Sequence, residues 1–74
     1  MKKMTSSKAK FYAKQILNYE NELSNTQNKE KIFEIQDKIT EIVDTIVEQY
    51  EPTAMYKVDE AVYSLMKKQW NTIT

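Results

Sequence analysis

Residues 30–51 read EKIFEIQDKITEIVDTIVEQYE. Ile32, Ile35, Ile39, Ile42 and Ile46 advance by three, four, three and four, with Val43 and Tyr50 widening the stripe. A step alternating between three and four keeps side chains on one face of a 3.6-residue helix, so the stretch is an amphipathic α-helix. β-Branched residues have slightly lower helix propensity, but the period outweighs it. Within the same stretch Glu30, Glu34, Asp37, Glu41, Asp44, Glu48 and Glu51 keep an equally regular register on the opposite side of the wheel.

Outward from this segment the same period continues. Tyr12, Ile16, Tyr19 and Leu23 share one face of an earlier helix, with Ala9 and Ala13 beside it. Ser6 or Ser7 suits its N-cap. Ser24-Asn25-Thr26-Gln27-Asn28 reads as a joint, where asparagine takes the left-handed conformation that ends a helix in the absence of glycine. Beyond the isoleucine helix, Pro52 marks a second joint, because proline disfavours helix at the preceding residue and suits the first turn of the next. Met55, Val58, Val62, Met66, Gln69 and Ile73 then form a third stripe, with Leu65 adjacent. The helices are placed at about 7–23, 27–50 and 53–70 of a single domain spanning 1–74. Short joints make sequential neighbours antiparallel. The fold expected is all-α, a small antiparallel three-helix bundle, with a homodimer through the long second helix as the competing arrangement.

Composition narrows the function. In 74 residues there is no cysteine, histidine or glycine, and proline occurs once. Thiolate and imidazole metal sites and histidine acid–base chemistry are thereby excluded. Three short helices offer few walls for a pocket that could tune a carboxylate or lysine. No cofactor is expected, and the chain reads as non-enzymatic. No run approaches the roughly 20 apolar residues that span a bilayer. Together with the lack of cysteine this suggests a soluble, cytoplasmic protein. Every basic residue is lysine, and isoleucine and asparagine are frequent, a bias common in AT-rich genomes such as those of low-GC bacteria and their phages.

Eleven lysines balance eleven acids, but unevenly. Lys2, Lys3, Lys8, Lys10 and Lys14 precede the first acid, and all acids fall between Glu20 and Glu60. Three surface features bear on a partner. The acidic stripe, with Glu34, Asp37, Glu41, Asp44, Glu48 and Glu51 as its binding residues, places carboxylates about 5–6 Å apart and suits a basic, nucleic-acid-binding groove on another protein. The bland alternative is the solvated outer face of any amphipathic helix. Tyr56, Tyr63 and Trp70, spaced by seven, lie along one flank of the third helix. They either seal seams between helices or anchor a protein interface. The lysine-rich start, with Phe11 and Tyr12, could grip a phosphate backbone, or is simply a solvated, partly frayed terminus. The expectation is a protein partner, with homodimerisation as a further expectation; neither nucleic acid nor a membrane is the expected partner. The function expected is that of a small inhibitor or regulator, encoded by a phage or mobile element, that engages a basic surface of a host protein. The alternatives are a nucleic-acid-binding accessory protein and a homo-oligomeric assembly factor.

Overall fold

The computed structural model describes the chain from Lys2 to Ile73, and its side chains as far as Lys68. Three α-helices occur in it: α1 (Ser6–Asn25), α2 (Lys29–Gln49) and α3 (Ala54–Ile73). They form the expected all-α bundle, and among the described residues the only extended pairing is an isolated bridge between Lys2 and Tyr50. Tyr12 meets Tyr50, Lys38 reaches Tyr19, and Glu22 and Thr26 lie beside Lys31 and Ile35, so α1 and α2 are antiparallel. Ala9 and Lys10 lie beside Lys57 and Ala61, and Leu17 meets Leu65 farther along, so α1 and α3 run the same way.

The caps differ from those read in the sequence. Thr5, not Ser6 or Ser7, caps α1, its hydroxyl accepting from the Lys8 amide at 3.1 Å. At the first joint no residue takes a positive φ. Thr26 ends α1 in extended conformation, and Asn28 starts α2 by accepting the Glu30 amide at 3.0 Å. The joint's asparagine therefore serves as an N-cap, another role for which its short side chain is suited.

The bundle is fanned rather than aligned. Three helices about 30 Å long, packed at contact distance, would stand about 15 Å across, yet the Cα envelope measures 38 × 33 × 13 Å. The cause lies in residue size. Ala9 and Ala13 are buried on α1, Ala61 of α3 lies beside Ala9, and Leu65 lies beside Leu17, so these two helices stay close along their length. By contrast α2 and α3 meet mainly at their joint and diverge from it. The core gathers at that end, where Ile46 and Tyr50 of α2 pack with Ala54 and Val58 of α3 and Ala9 and Ile16 of α1.

The segment before α1 belongs to this core. The Lys2 amide donates to the Gln49 carbonyl at 3.1 Å, and the Glu51 amide donates to the Lys2 carbonyl at 2.9 Å. Lys57 Nζ donates to the Met4 carbonyl at 3.1 Å. Met4 is 2% exposed and is among the largest fully buried side chains. A frayed terminus is thus the wrong description of residues 2–5: they close the end of the bundle.

The isoleucine stripe is buried unevenly along its length. Ile35 and Ile46 are buried, but Ile32, Ile39, Ile42 and Val43 are half-buried, although all share one face. Periodicity locates the face, and packing against α1 and α3 decides how much of it is covered.

Candidate partner-binding surfaces

The outer face of α2 carries Glu30, Glu34, Asp37, Glu41, Asp44 and Glu48, all exposed. At 1.5 Å per residue the row is about 27 Å long. None of the six has a lysine within ion-pair distance among the described residues. Lys38, which flanks the row in sequence, turns away from it to lie 5.8 Å from the Tyr19 ring centroid on α1. Glu30 sits in the first turn, where the helix dipole favours an acid, whereas Glu48 lies near the end where it does not. No group of three or more acids is placed to hold a metal ion among the described residues. The row is spread along the helix, and so presents charge without converging on a point.

Glu51 departs from this row. The helix stops at Gln49, and Glu51 lies in the joint with its side chain 28% exposed and 3.6 Å from Lys57 Nζ. Glu51 thus stands off the exposed row. Pro52 is the physical reason, since it disfavours helix at the residue before it.

The tyrosines of α3 do not seal a seam. Tyr56 is 72% and Tyr63 69% exposed. Together with Asp59, Glu60 and Ser64 they line a shallow surface recess, which adds two carboxylates to a flank read in the sequence as purely aromatic. The Trp70 side chain lies outside the described residues.

At the basic end of α1 the Lys8 ammonium lies 5.4 Å from the Phe11 ring centroid and 5.8 Å from that of Tyr12. Cation–π attraction holds it there without an acid. Tyr12 and Tyr50 face each other edge-on with hydroxyls 3.4 Å apart. That hydrogen bond first, then burial and the neighbouring phenol's charge, hold the Tyr12 phenol above its usual pKa of 10.0.

Two further exposed apolar residues stand on α2: Phe33, 66% exposed, and Val47, 59% exposed. Each stands beside the isoleucine stripe, and nothing in the spacing separates a covered flank from an open one. No described helix is long and apolar enough to cross a membrane. Comparison with known protein families, with characterised proteins and with solved structures finds no match to this chain.

Proposed function

We propose that this chain is a non-enzymatic binding protein that engages a basic surface of another protein through the acidic outer face of α2. One observation carries the reading: six exposed carboxylates in unbroken register, with none of them ion-paired among the described residues. A solvated helix face needs charge but not charge of one sign. Glu–Lys pairs four residues apart would stabilise the isolated helix, whereas like charges at that spacing weaken it by a few tenths of a kcal/mol. A basic partner relieves that repulsion, steers association and makes it salt-sensitive. The composition accords with a small cytosolic inhibitor or regulator from a phage or mobile element, and the basic surface fits the nucleic-acid-binding groove of a host protein.

The test is charge reversal: Glu41→Lys, Asp44→Lys and Glu48→Lys together. All three positions are exposed, so helix content should be retained. Affinity for the host protein captured by the wild-type chain should fall more than tenfold, chiefly through a slower on-rate, and the wild-type on-rate should fall with salt. Unchanged binding by the triple variant, with binding lost in Tyr56→Ala and Tyr63→Ala, would move the site to the flank of α3.

A further inference from the structure

The seam between α1 and α3 carries charge of the opposite sign to the outer face of α2. An open-sided cavity of about 370 Å³ lies along it, with Ala9, Ala61 and Leu65 as its apolar part. Ser6 and Lys10 of α1 complete the lining with Lys57, Glu60, Ser64 and Lys68 of α3, all six exposed. Helical spacing puts them there. Ser6 and Lys10 are four apart, and Lys57, Ala61, Ser64 and Lys68 step by four, three and four, so each set keeps to one face of its helix. Three lysines and two serine hydroxyls thus share the cavity with a single carboxylate. Leu65 also lines the next recess along the seam, where Lys14 adds a further lysine.

Positive charge here is not balanced within the chain. Ser6 opens α1, where the first amides lack intrahelical acceptors and the helix dipole is positive. The first turn holds no acid to offset it, and Lys10 in the next turn adds to it. Among the described residues Lys10 has no acid within ion-pair distance, no hydrogen-bond acceptor and no ring to lie over. Lys57 is different. Its ammonium is fixed by the Met4 carbonyl at 3.1 Å and shares its charge with Glu51 at 3.6 Å. An ammonium has three protons to donate, so at least one of them stays unclaimed at a set position.

We propose that this cavity binds a small phosphomonoester, its phosphoryl group taken by Lys10 and Lys57 at the start of α1 and its organic part laid on Ala61 and Leu65. Charge complementarity selects the anion: Lys10 gains the acceptor it lacks, and the dipole of α1 favours negative charge at that end. Charged hydrogen bonds of this kind are about twice as strong as neutral ones. Size selects a small molecule, because the cavity falls at the lower end of the range for such sites, about 300–1,000 Å³. Glu60 limits the ligand to a single phosphoryl group, since its carboxylate repels a longer polyanion laid along the seam. The serine hydroxyls of Ser6 and Ser64 serve as donors or acceptors to the ester's polar atoms.

Titration of the full 15N-labelled chain with phenyl phosphate, followed by amide shifts at constant ionic strength, tests this. Saturable shifts are expected at Ser6, Ala9, Lys10, Ala61, Ser64 and Leu65, with a Kd of about 1 mM or tighter. Inorganic phosphate should move the same amides with an affinity several-fold weaker, because it leaves the apolar part of the cavity empty. Lys10→Gln, at an exposed position, should keep the helical spectrum and weaken phenyl phosphate about tenfold, the loss of one charged hydrogen bond. Lys29→Gln removes the same charge from the exposed start of α2 and should leave the affinity unchanged. No saturation by about 10 mM overturns the proposal. So do shifts spread evenly over all the lysines, equal binding of the bare ion and the ester, or a Lys10 variant that binds as well as the wild type. Reversing the acids of α2 should not weaken phenyl phosphate, so this proposal and the one about the acidic face fail separately.

Discussion

Met4→Ala measures how firmly the segment before α1 is built into the core. The substitution removes three heavy atoms from a side chain 2% exposed. Transfer of that material out of the core costs about 2 kcal/mol at roughly 0.8 kcal/mol per methylene. A partly collapsed cavity adds about 1 kcal/mol, giving about 3 kcal/mol in all, within the range seen for buried methionine truncations. With an unfolding entropy of roughly 2 cal/mol/K per residue, each kcal/mol lowers Tm by about 6 °C in a domain of this size. The expected fall is therefore about 15–20 °C. It should be read by circular dichroism at one fixed protein concentration. Hydrogen exchange supplies a local readout, because the Glu51 amide donates to the Lys2 carbonyl. It should be protected in the wild type and exchange much faster in the variant. A loss below about 1 kcal/mol, with the Glu51 amide already fast in the wild type, would refute the docking of this segment.

Three further substitutions test the joints. Asn28→Ala should cost about 1 kcal/mol by orphaning the Glu30 amide, lowering Tm by about 6 °C, while Asn28→Gly should cost much less. At Tyr12 the folded-state pKa is raised above its usual value of 10.0, so its contribution to stability is complete below that pH and is lost as pH rises through the folded value. Tyr50→Phe removes the partner hydroxyl; in urea titrations its stability should lie closer to that of the wild type at strongly alkaline pH than at pH 8, and an unchanged gap would contradict the coupling.

The helices were legible because their signal is local. The three-and-four step of the isoleucines requires a helix whatever surrounds it, and Pro52 marks its end. The same proline contained the information that Glu51 leaves the acidic row, although regular spacing extended the row across it. What the sequence did not disclose depends on tertiary fit. Lys2 to Thr5 have no period, and their docking depends on the end of α2 lying alongside them. Ala9 and Ala13 carry little hydrophobic signal, yet their small size lets α1 and α3 close together, and that closeness leaves Ile39 half-buried and Ile46 fully buried. The exposed row from Glu30 to Glu48 could be read from spacing. The exposure of Phe33, Val47, Tyr56 and Tyr63 could not, because each lies at a flank position that a tighter bundle would have covered.

The docked segment also orders events in time. Lys57 and the Met4 carbonyl it holds are 53 residues apart in sequence, whereas the turns of α1, α2 and α3 need only neighbours. Contacts across such a span form late, because closing a long loop costs entropy before any contact compensates it. During synthesis residues 2–4 leave the ribosome well before Gln49, Glu51 and Lys57 exist to receive them. Until then Met4 has no cavity to fill and the Lys2 backbone has no partner at Gln49 and Glu51. Completion of the α2–α3 joint is thus the step that converts three helices into a closed structure, and a slow or faulty joint would show first as a loss of order at the opposite end of the sequence.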